Sequence, residues 1–340
     1  MINPRVRLLA MVIAIVIGSS ISFFLNRNKQ NAVEKADGKK IALLVPALHP
    51  AMDEIIMGFK EQLHQKAPTA KIDFVEYNAN GNKTLLNAQA QDIVSADYDA
   101  VFTIGVGASE TMHTVIKKRA SNLPLIFTAV ADPVAHGLVA SLTQPQGNAT
   151  GVIETIEYQQ QINALRKVKP AVKSILLVYD PTHPTSNHDK EQFQAVAQKY
   201  NITLDGVEIM HSSEISQKVA PFMSSADVVL VLKDHAIVSG IDALITLCNR
   251  YGVTLYASDL NSADKGAALA FGVREYQYGS RAADVAYPIV IEGKKPAAVP
   301  VAYIEKQYLK INKSAAKMQG LALLPEQIED LQNDDIIVLD

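Results

Sequence analysis

The chain has 340 residues, 48% of them hydrophobic and 20% charged, with a formal net charge of -3. That balance belongs to a globular protein long enough for two cores, and the charge gives no reason to expect nucleic acid as a partner. The lone cysteine, Cys248, excludes a disulfide within one chain and a cysteine-rich metal site, and its helical surroundings (IDALITLCNR) predict burial.

Residues 1–39 read as a membrane anchor or signal segment followed by a linker. Arg5 and Arg7 precede an uncharged apolar run from Leu8 to Leu25, and Arg27 and Lys29 follow it. The run is near the lower limit for a bilayer span and long for a cleaved signal core, and no cysteine follows it to carry a lipid. An uncleaved anchor is therefore expected over a cleaved signal, and either one exports the rest. Residues 26–39 are polar and carry no apolar period.

From Lys40 short β-rich runs alternate with amphipathic helical ones, the pattern of parallel βα units. Strands are expected at 41–47, 71–77, 100–105 and 123–130, with helices over 53–66, about 85–94 and 109–120 between them. A loop opening on Asp132-Pro133, a short helical segment started by Gly137 and a glycine-rich exit follow. The rhythm then restarts: strands at 174–180, 202–209, 226–232 and 252–258, helices over 189–200, 214–223 and 238–251. Two passages read as returns: strand 266–272 with helix 276–292, then strand 301–309 with helix 314–320. The acidic tail reads as a surface helix, with IIVL able to add an edge strand.

The fold class this predicts is α/β, two doubly wound Rossmann-like lobes joined by three hinge crossings. Lobe 1 takes residues 40–150 and 272–298, lobe 2 takes 151–271 and 299–330, and 331–340 form a tail. Gly147, Gly151 and Gly272 are the expected hinge positions.

Open α/β sheets bind ligands beyond the carboxyl ends of their strands, which directs attention to the loops there. In GVGASE (105–110), Gly107 lets a ligand approach the backbone, and Ala108 and Ser109 begin a helix whose free N–H groups suit an anion; Ser109 as a plain helix cap is the other reading. Asp132, Asp234 and Asp259 each end a strand, and three carboxylates facing one cleft would hold a ligand ammonium; singly, such groups are caps. Thr185, Ser186 and Asn187 cluster before a helix. His183 and His188 share no helical face, which argues against a metal pair. No hydrolase, zinc-protease or Walker signature is present, so no enzyme is expected.

The segments HPAMDEIIMGFKEQL (49–63), LPLIFTAVADPVAHGLVASLTQPQGNATGV (123–152) and GAALAFG through INKSAAKMQGLALLPE resemble the ABC transporter substrate-binding proteins of the group that includes tryptophan- and tyrosine-binding lipoproteins. The resemblance covers about residues 40–325 and implies the type I periplasmic binding fold. It also implies capture of a small solute, such as an aromatic amino acid, for an ABC permease in the inner membrane, by a periplasmic monomer without cofactor or metal. It places His49, Pro50 and Asp53 in a first cleft loop, Ala108 and Ser109 at a carboxylate-binding helix start, and Val130 and Asp132 in a second loop. On lobe 2 it places Ser186, Asn187 and Asp234. Tyr179, Tyr256 or Phe271 would stack on an aromatic ligand. The departures are His235, where Asn is common, and Arg274 and Glu275, where small or aromatic residues are usual. The uncut anchor also fits a second role, a membrane-anchored sensor or adaptor using the same cleft to control a partner protein.

Overall fold

The computed structural model describes residues 38–47, 49–154, 157–182, 186–323 and 335–339. The expected anchor, His183, Thr185 and the tail helix lie outside them. Among the described residues no helix is long and apolar enough to cross a membrane.

The first lobe is built from β1 (Gly38–Val45), α1 (Pro50–Lys66), β2 (Lys71–Asn78), α2 (Lys83–Ser95), β3 (Ala100–Ile104), α3 (Gly105–Lys118), β4 (Leu125–Val130) and β5 (Ala149–Ile153). The strands form one parallel sheet in the order β2-β1-β3-β4-β5. The continuous apolar run of β1 follows from burial on both faces. Ile41 and Leu43 pack with Phe59 and Phe102 on one side, Ala42 and Leu44 with Leu86, Ile93 and Met112 on the other. β1 begins at Gly38, so the strand takes in the last two residues assigned to the linker.

The second lobe runs through α4 (Tyr158–Val168), β6 (Ser174–Tyr179), α5 (Ser186–Gln198), β7 (Thr203–Glu208), α6 (Ile215–Val219), β8 (Val228–Val231), α7 (His235–Ser239), α8 (Ile241–Tyr251), β9 (Thr254–Ala257), α9 (Asn261–Lys265) and β10 (Leu269–Gly272). The chain then returns to the first lobe as α10 (Glu275–Val290) and comes back as β11 (Tyr308–Asn312), α11 (Lys313–Met318) and β12 (Ile336–Leu339). The second sheet has the order β12-β11-β10-β9-β8-β6-β7, with β10 and β11 antiparallel and the other pairs parallel. Helices cover both faces: α4, α5 and α11 over one cluster, α6, α7 and α8 over the other.

The return of α10 is fixed by glycine. A Cβ on Gly279 would lie 1.8 Å from Ile55 O, and one on Gly58 would lie 2.2 Å from Tyr276 O. The backbones of α1 and α10 therefore touch where neither helix carries a side chain.

Several expectations are corrected. Gly147 and Gly151 lie inside the first lobe: β5 pairs with β4, and Gly151 is packed so that a Cβ would meet Phe127 O at 2.0 Å. The first crossing comes after Ile153, where Glu154 N–H still donates to Val130 O at 2.9 Å. The second crossing follows Gly272, at Val273 and Arg274. The third lies beyond Ala302, because Val152 and Ala302 form a parallel bridge to the first sheet. Residues 299–302 thus belong with lobe 1, and the strand expected over 301–309 is displaced to Tyr308–Asn312. The segment from Asp132 to Leu142 is a series of turns instead of a helix. The helix expected over 238–251 is split at Gly240, where a Cβ would meet Ile215 Cδ1 at 2.7 Å. IIVL does add a strand, parallel to β11.

Candidate functional site

In both sheets the strand order reverses next to the first strand of the lobe, between β1 and β3 and between β6 and β8. Loops at the carboxyl ends of these strands form the crevice in such sheets. The two carboxyl edges approach each other at the crossings, where Lys233, just after β8, reaches across to Glu154 beyond β5 and to Tyr278 on α10.

On the lobe 1 rim, His49 caps α1, its Nδ1 accepting from Ala51 N–H at 3.2 Å, Pro50 is the first helical residue, and Asp53 is exposed in the first turn. Helix α3 starts at Gly105, four residues earlier than expected, with φ +78° at that glycine. Its unpaired N–H groups therefore belong to Gly105, Val106 and the exposed Gly107. Ala108 and Ser109 are fully buried one turn in. Ser109 Oγ bonds Thr103 Oγ1 at 2.9 Å and donates to Gly105 O at 2.6 Å, so the hydroxyl is engaged inside the lobe and does not cap the helix start. Ser109→Ala is accordingly expected to lower stability by about 1 kcal/mol and leave ligand affinity unchanged, checked by urea denaturation and calorimetric titration of the same protein.

The three strand-end carboxylates do not converge on a ligand. Each caps its own chain. Asp132 accepts from Val134 N–H and Ala135 N–H, and Asp259 accepts from Ser262 N–H and Oγ–H. Asp234 is 2% exposed and accepts from the N–H groups of Asp180 at 2.7 Å, Ala236 at 3.0 Å and Ile237 at 3.2 Å, with Ser186 Oγ 3.4 Å away. Ser186 and Asn187 are the first residues of α5, Ser186 buried against Asp234 and Asn187 exposed. Val130 is fully buried in a small apolar cluster with Phe127, Leu138 and Val301.

Of the rings expected to stack on a ligand, Tyr179 and Tyr256 belong to the lobe 2 core, Tyr256 donating its hydroxyl to Gln161 O at 2.8 Å. Phe271 alone of the three lines the junction. There a cavity of about 10 Å³, room for about one water, is bounded by Gln161, Lys233, Ser258, Phe271 and Gln307. A larger depression of about 570 Å³ lies away from the crossings, between α2 and α3, and takes in His113 and the His136–Glu110 pair. Burial of Cys248 pushes its thiol up to about 12, which keeps it protonated and inert. No cluster of His, Cys, Asp and Glu among the described residues is arranged to hold a metal ion.

The charged core of the junction was missed in the sequence. The Lys233 side chain is 20% exposed and that of Glu154 is 28% exposed. Lys233 also lies over the Tyr278 ring, 5.3 Å from its centroid, and donates to Tyr278 Oη at 3.2 Å. Although burial opposes its charge, the surrounding anions hold the ammonium well above its ordinary range. Glu275, the first residue of α10, is pushed up to about 7 by burial and by the carboxylates of Glu154, Glu54 and Asp259, against the pull of Lys233. The unusual Glu275 was visible as a departure from the family pattern. Lys233 and Glu154 carried no signal, because neither is in a motif and they are brought together only by the crossings. Arg274, the neighbouring departure, lies 4.6 Å from the Tyr308 ring centroid.

A family model described as "ABC transporter substrate binding protein" matches residues 40–333. A tyrosine-binding protein of Clostridioides difficile is 27% identical over 97% of both chains. Among solved structures, the ABC domain in complex with L-Trp from Streptococcus pneumonia aligns with TM-score 0.72 and 25% identity, over 88% of this chain and all of that one. A ligand-free, open substrate-binding protein with adhesive properties from Clostridium difficile aligns with TM-score 0.76 and 23% identity, over 88% of this chain and 99% of the other.

Proposed function

The chain belongs to the ABC transporter substrate-binding protein family, and on that premise we propose that it captures an amino acid with an aromatic side chain, or a close relative of one, between its two lobes. The family's members are extracytoplasmic binders that do not transform their ligand, and an ABC permease is the partner to which the solute passes. Residues 8–25 would tether the protein to the inner membrane, leaving both lobes in the periplasm.

The observation that carries the reading is the triple crossing. Two complete sheets, each with its carboxyl edge toward the other, are joined at Glu154–Glu157, at Val273–Arg274 and between Ala302 and Tyr308. Three parallel links restrict the lobes to opening and closing about one axis, and a solute touching both lobes stabilises the closed form by the contacts it makes only there. The tyrosine-binding relative and the L-Trp complex support an aromatic amino acid as the solute.

L-tryptophan or L-tyrosine is expected to raise the melting temperature of the full chain by several degrees at a hundred-fold excess over Kd, as about 2.7 kcal/mol of linkage requires. Thermal unfolding against the twenty amino acids and a set of sugars checks this. Stabilisation by a sugar and by no amino acid would overturn the reading.

A further inference from the structure

We propose that the amino edge of lobe 1 rests on anionic lipid headgroups of the membrane, with the rim and the cleft turned away from it. The proposal rests on the reading of residues 8–25 as a tether, and adds a surface that a tether alone does not require.

The sheet places charges of opposite sign at the two ends of the lobe. At the amino edge, Lys40 in β1 and Lys71 at the start of β2 are on neighbouring strands, since Gly38 pairs with Lys71, and both are exposed. Helix α3 runs back to this edge and delivers Lys117, Lys118 and Arg119, all exposed. The turn beyond α10 adds exposed Lys294 and Lys295 near the start of β5, where Thr150 Oγ1 donates to Val299 O at 2.8 Å. The carboxylates at this edge are Asp92, Asp97, Asp99 and Glu292. Asp99 is engaged by Lys39 and by the Lys40 N–H, and Glu292 by Lys294. Among the described residues, Lys71, Lys117, Lys118, Arg119 and Lys295 make no ion pair. The carboxyl edge of the same lobe is acidic, with Asp53, Glu54, Glu110 and Asp132 exposed on it.

Cations in the last turn of a helix complement its dipole, which accounts for Lys117 and Lys118. Lys40 and Lys71 are on strands, and Lys295 precedes a short helical turn (Pro296–Ala298), where a helix dipole gives no reason for a cation. The amino edge of lobe 2 is basic as well, through Lys167, Lys173 and Lys199, but the entry of the chain singles out lobe 1. β1 begins there at Gly38, and only residues 26–37 separate it from Leu25, so this edge lies within about 40 Å of the apolar run. Cations held that near an anionic surface are drawn onto it once they come within a Debye length, about 8 Å at physiological salt. The acidic rim is repelled, so the field that seats the base also sets the cleft outward.

Energy transfer to acceptor-labelled lipid tests this on the full chain reconstituted into bilayers of phosphatidylcholine, with or without phosphatidylglycerol. A donor at Thr69→Cys reports the amino edge and one at Ala135→Cys the rim, both exposed positions. Transfer from Thr69→Cys is expected to rise about two-fold with phosphatidylglycerol, to exceed that from Ala135→Cys, and to fall back at about 0.5 M salt. Lys117→Glu/Lys118→Glu/Arg119→Glu should remove the rise, whereas Lys167→Glu/Lys173→Glu/Lys199→Glu, the same charge change on lobe 2, should leave it. The salt arm keeps the test independent of how the variants fold. If the chain does not insert, yet floats with phosphatidylglycerol vesicles and not with phosphatidylcholine ones, and the lobe 1 reversal alone abolishes flotation, the surface stands and the tether reading fails. Equal transfer from Thr69→Cys with and without phosphatidylglycerol, equal loss in the two reversal variants, or a chain that neither inserts nor floats would overturn the surface.

Discussion

Replacing Gly279 by alanine is expected to destabilise the protein by about 3 kcal/mol, the upper part of the range for overpacking a tight core. The new methyl would sit 1.8 Å from Ile55 O and 2.6 Å from Phe59 N, both backbone atoms. No side-chain rotation relieves that clash, so α10 must move away from α1. The shift would loosen the cluster in which Tyr278, Ala282 and Ala286 meet Phe59 and Leu63. Because α10 enters lobe 1 only by way of the second crossing, the effect reports on how the return is anchored. Urea denaturation followed by circular dichroism measures it. Gly107→Ala is the control, since its Cβ meets nothing within 4 Å and no left-handed backbone is involved; it is expected to be neutral or slightly stabilising.

Asp234→Ala is expected to cost about 3 kcal/mol, combining a lost helix cap with charge-assisted hydrogen bonds to a buried carboxylate. Three backbone N–H groups, those of Asp180, Ala236 and Ile237, lose their acceptor together. They lie in the loop after β6 and in the first turn of α7 after β8, so the change unties the carboxyl edge of lobe 2 at the place where the strand order reverses. Asp234→Asn, which keeps one acceptor oxygen, is expected to fall between the alanine variant and the native chain. An alanine variant that unfolded at the native urea concentration yet lost its ligand would make the carboxylate a direct contact instead of a cap.

The α/β fold and most of its elements were legible because parallel strands buried on both faces leave uninterrupted apolar runs such as Ile41–Val45 and Val228–Val231. The crossings were harder to read. Glycines at 147 and 151 mark a turn and a close sheet contact, signals that look the same in sequence as a hinge. The strand-end aspartates were correctly located and wrongly weighted toward a ligand: a local partner two or three residues away is available to each, and such turns are the cheaper use of the group. Ser109 failed for a related reason, since the helix began at Gly105 and carried the hydroxyl inward. Lys233 lies 79 residues from Glu154 and Gln161 lies 97 from Ser258, so no local pattern could announce them.

The central claim is closure of two lobes on a solute, and the distance between their rims tests it most directly. Spin labels at Ala135→Cys, in the loop after β4, and His188→Cys, on α5, sit at exposed positions on opposite lobes, and the native Cys248 is fully buried and out of reach of the label. Double electron–electron resonance on the full chain is expected to show one distribution shifting to shorter distance as L-tryptophan or L-tyrosine saturates the protein. A distribution unchanged by a ligand that calorimetry shows to be bound would contradict the account.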